Sequence, residues 1–470
     1  MSDDLCRLSA AEAGALIAKG ALSPYELTLA VLHRIERIDP LLHAYVVVTR
    51  DRALTDARRA EHEIRDGRRR GPLHGVPIAL KDVIDTSGIP TTGCSRVFQD
   101  RIPGRDAAVA ARLRDAGTIL LGKLTCHELA HGGPSFDLPW PPARNPWDTT
   151  RYTGGSSSGA GAAVAAGLCF GAIGTDTGGS IRSPAALCGV VGLKPTHGRV
   201  SLRGIMPNSY SLDHAGPLAG NVRDAALLLG AVAGFDPDDP ASVDKPVTDW
   251  AAAIGRPIRG FRIGVVRHFH ETDAKVSPAS VASLEAALDV LAGLGAKIIE
   301  VRLSPLEDYA ACKTLISMPE LHAAYEPELK TRLAEFGENF RFRVLAAPTI
   351  AAIDHVQAHR WRRRLSREML KVFERVDVLA TAGNTGPAPL IETIRTSLEK
   401  PSLTAPFNVT GCPALTMCSG FTPEGLPLAI QLAATPFDEA TLLAAAHAYE
   451  QATPEHRRRP EFSRLPEEVV

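Results

Sequence analysis

The residue types able to do chemistry gather in one Gly/Ser/Ala-rich tract and one upstream strand. Ser156 lies in Thr153-Gly154-Gly155-Ser156-Ser157-Ser158-Gly159, and Ser180 in Gly174-Thr175-Asp176-Thr177-Gly178-Gly179-Ser180-Ile181-Arg182. Lys81 ends the apolar run Val76-Pro77-Ile78-Ala79-Leu80. A serine hydroxyl is a weak nucleophile until a base takes its proton. Burial strips an ammonium of hydration and lowers a lysine pKa from about 10.4 by up to several units. A neutral lysine is then a base, and this set calls for no histidine. Taken alone, a lysine at a strand end reads more readily as a solvated side chain than as a buried base.

Gly178 and Gly179 let backbone N–H groups come close to a substrate oxygen. Such donors form an oxyanion hole, where losing one costs roughly 2.7–4 kcal/mol of transition-state stabilisation. By itself, Gly-Gly-Ser is an ordinary turn. Gly155-Ser156-Ser157-Ser158-Gly159 also satisfies the GxSxG pattern of a nucleophile elbow, which needs a strand before it and a helix after it. Residues 148–153 are a poor buried strand, so the elbow is set aside. His197 and His214 read as structural. The loop lacks the lysine that should follow Gly159 in a phosphate cradle. Ser397-Leu398-Glu399-Lys400 has SxxK spacing but sits in a charged stretch and reads as chance.

The elements that must position these groups follow from pattern. Ser9-Ala10-Ala11-Glu12 and Ser23-Pro24-Tyr25-Glu26 are capping boxes that open two helices within 9–39, with Gly20 between them. Residues 52–69 form a charged helix ending in a solvated arginine run. A helix over 107–116, stopped by Gly117, leads into a strand over 118–121. The tract 154–198 is too apolar for an open linker and reads as closely packed buried backbone. Val281, Leu284, Leu288 and Leu291 share one helical face over 279–294. Strands are predicted over 297–301 and 376–381, a mainly helical stretch over 305–375, and a last helix over 438–451. Alternating strands and helices indicate an α/β fold.

Composition narrows the classes. The chain has 470 residues, 45% of them hydrophobic, and a net charge of −1. That balance offers no field for nucleic acid or an anionic membrane surface. No apolar run approaches the roughly 18 residues of a membrane span. The eight cysteines form no CxxC pair, which argues against a disulfide framework or zinc-finger site and for a reduced cytoplasmic setting.

Together these residues resemble the amidase signature family. The resemblance rests on Pro72-Leu73-His74-Gly75 through Lys81-Asp82, on Asn145-Pro146-Trp147-Asp148 with Arg151 and the serine loop, and on the run from Thr175 to Pro184. It continues through Cys188-Gly189, Gly192-Leu193-Lys194-Pro195-Thr196, Gly198-Arg199-Val200-Ser201, Ser211-Leu212-Asp213 and Gly216-Pro217. A weaker match covers Ala405-Pro406-Phe407-Asn408 and Gly425-Leu426-Pro427 to Gln431. Residues 250–395 carry little of it. The resemblance implies one large mixed β-sheet covered by α-helices on both faces. It implies a single domain over 1–470: helices in 1–70, a catalytic core in 71–235, a variable helical region in 236–395, and strands plus a helix in 396–455.

It further implies hydrolysis of a C–N amide bond in a small molecule. Ser180 is then the nucleophile, Ser156 a relay on a cis peptide, and Lys81 the base. Thr177, Gly178, Gly179 and Ser180 supply the oxyanion hole, with Ser157, Asp176 and Arg182 in support. No metal or cofactor is required; the oligomeric state stays open, a homodimer being one assembly the resemblance allows. Departures around Leu124-Thr125-Cys126-His127-Glu128 and the proline-rich 135–142 suggest an apolar acyl or amine group. Cys126 and Trp140 either line its pocket or only pack; Cys126 has no partner that would make it a nucleophile. Anilides, carbamates and esters suit the same machinery. The alternative is the glutamine-cleaving component of a glutamyl-tRNA amidotransferase complex. A catalytically dead binding protein is disfavoured by the presence of the lysine and both serines.

Overall fold

The computed structural model describes residues 4–394 and 402–462. Ser397-Leu398-Glu399-Lys400 lies outside the described residues. Among the described residues thirteen strands form: β1 (Tyr45–Val48), β2 (Pro77–Lys81), β3 (Ile119–Leu124), β4 (Arg144–Asn145), β5 (Asp148–Tyr152), β6 (Gly171–Thr175), β7 (Val191–Lys194), β8 (Ala215–Ala219), β9 (Arg262–Val265), β10 (Lys297–Glu300), β11 (Val378–Ala382), β12 (Ala414–Phe421) and β13 (Pro427–Ala434). Eleven of them join one mixed sheet in the order β1-β3-β2-β6-β8-β7-β12-β13-β11-β9-β10, while β4 and β5 pair as a separate hairpin. Helices pack against this sheet, as the α/β reading required.

The order explains the sequence pattern. Strands β2, β6, β8, β11 and β13 are buried along their whole length. Inner strands covered on two faces read as near-continuous apolar runs rather than alternating ones. β2 lies between β3 and β6, parallel to both. Three neighbouring strands therefore end at the same edge, and the chain leaving each end can meet. That edge is where open α/β sheets place their ligands.

The first helix opens with a full capping box at Ser9 and Glu12. At the second, Ser23 accepts from the N–H groups of Tyr25 and Glu26, so only the serine half of the expected box forms. The charged helix spans Arg50–Arg65, shorter than expected because Gly67, at φ +77°, follows its end. The predicted strand at 118–121 runs to Leu124, carried by pairing with both β1 and β2. The tract 154–198 is mostly buried, as expected, with Gly178 and Ser180 among its half-buried residues. Its helix Ser158–Ala165 contains only Ser, Gly, Ala and Val, all buried, which lets its backbone lie close to the sheet. The helical stretch 305–375 divides into Leu306–Ala324, Glu326–Thr331, Glu338–Val344 and Ala352–Phe373.

Candidate active site

Each strand of the β3-β2-β6 trio delivers one part of the site. Lys81 is the last residue of β2 and Thr175 the last of β6. The pairing of Ala79 with Ala172 and Leu80 with Ile173 brings these ends side by side. Lys81 Nζ donates to Thr175 Oγ1 at 2.8 Å and to Ser156 Oγ at 2.7 Å. Lys81 is fully buried. Burial lowers its amine to about 8, against the opposing pull of Asp213 and Asp176. Past β3, the His127 N–H donates to Ser156 O, and Thr125 O accepts from Gly159. The peptide between Gly155 and Ser156 is cis. A Cβ on Gly155 would stand 2.1 Å from the His127 ring, so only glycine fits there.

Ser180 lies on the loop between β6 and the helix Arg182–Cys188. Asp176, Thr177 and Gly179 are buried, whereas Gly178 and Ser180 are half-buried. The two serine loops are joined by the Ser157 N–H donating to Ser180 O at 3.1 Å. Ser180 Oγ has no hydrogen-bond partner among the described residues. Ser157 is fully buried; its Oγ donates to Thr175 O and accepts from the Thr175 N–H. It is the central serine of the GxSxG pattern. The hairpin strand β5 does precede it and a helix follows, but Ser157 faces the interior and offers nothing to a substrate. His214 is buried and His197 half-buried, with their ring centroids 5.2 Å apart.

Asp176 and Arg182 hold the Ser180 loop. Arg182 Nε and Nη2 donate to Asp176 Oδ2 and Oδ1, each at 3.0 Å. The remaining guanidinium donors reach Thr404 O, Gln431 Oε1 and Asn408 Oδ1. Burial pushes the Asp176 carboxyl up, but the Arg182 charge outweighs it and holds the group well below the usual range. Asp176 Oδ1 also accepts from the Gly179 N–H at 2.8 Å. The expected donor set is corrected accordingly. Gly179 spends its N–H on the loop, while those of Thr177, Gly178 and Ser180 have no protein acceptor among the described residues. Thr177 Oγ1 donates to Asp213, whose carboxyl burial pushes up to about 6.

Other groups carried no site assignment in the sequence. Thr175, Asp213, Asn408 and Gln431 fall in motif stretches, so they could have been singled out. Lys313 had no signal. It sits on the helix Leu306–Ala324, and its Nζ lies 3.2 Å from where a Gly178 Cβ would be. The expected pocket at Cys126 and Trp140 is not substrate-sized. The two face one space of about 20 Å3, room for about one water. Cys126 Sγ instead packs 3.7 Å from Cys94 Sγ, and Trp140 also faces an outer groove beside Ile35 and Pro40. A cavity of about 370 Å3 lined by Ser183, Asn384, Ser402 and Thr404 adjoins the Gly178-Gly179 turn through Thr404.

This sheet, with two serine loops and a buried lysine at one edge, defines a protein of the serine amidohydrolase type. The family comparison agrees: the sequence model of the Amidase family matches residues 26–443, and the chain belongs to that family. It is similar to a glutamyl-tRNA(Gln) amidotransferase subunit of Chloroflexus aggregans, 39% identical over 98% of this chain and 99% of that one. It is also similar to the putative amidase AmiD of Mycobacterium tuberculosis, 40% identical over 97% of each. The structure of the peptide amidase from Stenotrophomonas maltophilia superposes with a TM-score of 0.85 at 33% identity, over 97% of this chain and 98% of that one. The protein is an amide-hydrolysing enzyme. Among the described residues, no helix is long and apolar enough to cross a membrane.

Proposed function

We propose that the chain hydrolyses a C–N amide bond of a small molecule through an acyl-Ser180 intermediate. The observation carrying this is the bond from buried Lys81 to Ser156, beside a half-buried serine flanked by unused N–H donors. Ser180 Oγ attacks the carbonyl carbon. Its proton passes to Ser156 Oγ as Ser156 gives its own to neutral Lys81. The N–H groups of Thr177, Gly178 and Ser180 bind the oxygen that gains charge. The proton then returns through Ser156 to the leaving nitrogen, without which an amine departs poorly. Water attacks the acyl-enzyme by the same relay and releases the acid. The Ser180 to Ser156 hydrogen bond closes once substrate is bound, as catalytic hydrogen bonds commonly tighten in the complex.

A stand-alone amidase is the reading we favour for the substrate class. Full-length likeness to a peptide amidase and a putative amidase supports it. Equal likeness to an amidotransferase component keeps a glutamine-cleaving role as the second reading. The test is turnover by the purified chain alone on glutamine, aliphatic amides, peptide amides, anilides, carbamates and esters. Ser180→Ala should lower turnover by about ten-thousand-fold or more. Substantial activity left in Ser180→Ala would end the nucleophile assignment. Activity on glutamine only, or only with added partner chains, would favour the second reading.

A further inference from the structure

Away from the serine loops, three ligand-bearing side chains converge on the region with least family signal. Glu320 lies on the helix Leu306–Ala324, and His355 and His359 lie one turn apart on the helix Ala352–Phe373. One ligand atom from each falls within 4.8 Å of the others, and all three residues are half-buried, hence reachable from solvent. We propose that Glu320, His355 and His359 bind a zinc-class divalent cation, tying these two helices to the loop 208–213.

The geometry suits such an ion. His355 Nε2 and His359 Nε2 stand 3.3 Å apart. Two nitrogens on a tetrahedral ion with bonds of about 2.05 Å are themselves about 3.3 Å apart. The His355 tautomer is set by the helix opposite. Pro319 has no N–H and leaves the carbonyl of Leu315, four residues earlier, without its helical donor. Leu315 O instead accepts from His355 Nδ1 at 3.0 Å. Nδ1 therefore carries the hydrogen, and Nε2 points its lone pair at His359. Such a carbonyl behind a ligating imidazole is the usual outer support of a metal site. Glu320 is anchored too, accepting from the Ser211 N–H and from the hydroxyls of Ser209 and Ser211.

Two imidazoles and one carboxylate, with a coordination position left open, favour Zn2+ or Co2+ over Mg2+ or Ca2+, which prefer all-oxygen shells. Arg362 and Arg363 add positive charge nearby, and the Glu320 carboxylate offsets part of it. The site also reaches the catalytic edge. The N–H groups of Asn208 and Ser209 hold Asp213, which accepts from Thr177 Oγ1. An ion here therefore stiffens the loop that supports Thr177.

The test is titration of chelator-stripped, full-length protein with Co2+, read by its visible ligand-field bands, followed by displacement with Zn2+. One equivalent should bind with a four-coordinate spectrum. His355→Gln and His359→Gln should each weaken binding beyond the 10–100-fold range typical of outer-shell changes. Pro319→Ala keeps all three ligands but restores a competing donor to Leu315 O, and should weaken binding by about tenfold. Circular dichroism of the metal-free variants checks that each is folded. Absence of saturable binding by the wild-type chain would overturn the proposal. Unchanged affinity in both histidine variants would also overturn it, by locating the ion elsewhere.

Discussion

Lys81 at the end of β2 and Lys194 at the end of β7 are equally buried, yet their partners differ in kind. Lys194 donates to the carbonyls of Pro195 and Cys412. A carbonyl only accepts, so that bond holds an N–H in place and leaves no route for a proton to arrive. Lys81 faces two hydroxyls, which can reverse direction and donate to a neutral amine. Burial lowers both amines, Lys81 to about 8 and Lys194 to about 7. A depressed pKa therefore does not mark the base. The capacity of the partner to give a proton does. Lys123 falls between the two: it donates to Ile84 O and to the Thr91 hydroxyl beside the carboxylate of Asp82, and that hydroxyl gives its own hydrogen to the carbonyl of Ile89.

Substitution at both lysines is the strongest way to break this contrast. Lys81→Met should reduce kcat/KM by about 10²–10⁴-fold, the usual worth of general acid–base catalysis. Lys194→Met should act on stability instead. It leaves two buried carbonyls without a donor, at about 1–3 kcal/mol each, read from denaturant midpoints. Equal loss of turnover per folded molecule in the two variants would erase the distinction.

The pH profile sharpens the comparison further. Below about 8 the Lys81 amine keeps its proton and cannot accept another. The free enzyme's kcat/KM should therefore rise with pH, falling about tenfold per unit below that value and levelling above it. Residual activity of Lys81→Met should lack this limb, while Lys194→Met should retain it. A limb unchanged in Lys81→Met would assign the titration to another group. The smallest effect is expected at Thr175. Thr175→Val removes one of the two hydroxyls at Lys81 but spares Ser156, so kcat should fall by about tenfold, at a cost near that of one hydrogen bond to a charged group.

Much of the site was legible because its parts are local. Ser156, Ser157, Asp176, Ser180 and Arg182 lie within one short tract, and Lys81 ends an apolar run that reads as a strand. The pairing of Asp176 with Arg182 spans six residues. Its other anchors, Asn408 and Gln431, are more than 220 residues away from Arg182. No local pattern could connect them, since β12 and β13 come beside this tract only when β12 pairs with β7. Lys313 and the Glu320-His355-His359 cluster were illegible for the same reason: each depends on how helices of the least diagnostic region dock.

Sequence alone determined the chemical inventory: two serines, a lysine, a glycine-rich turn and the apolar strands around them. These follow from residue types and short spacings, which local sterics and burial make informative. Tertiary structure decided that Lys81, rather than Lys123 or Lys194, reaches the Ser156 hydroxyl. It also decided which N–H groups stay unused, and that Gly179 is not one of them. Those choices rest on strand order and loop-to-loop hydrogen bonds a few ångströms long, and such distances exist only once the sheet has assembled.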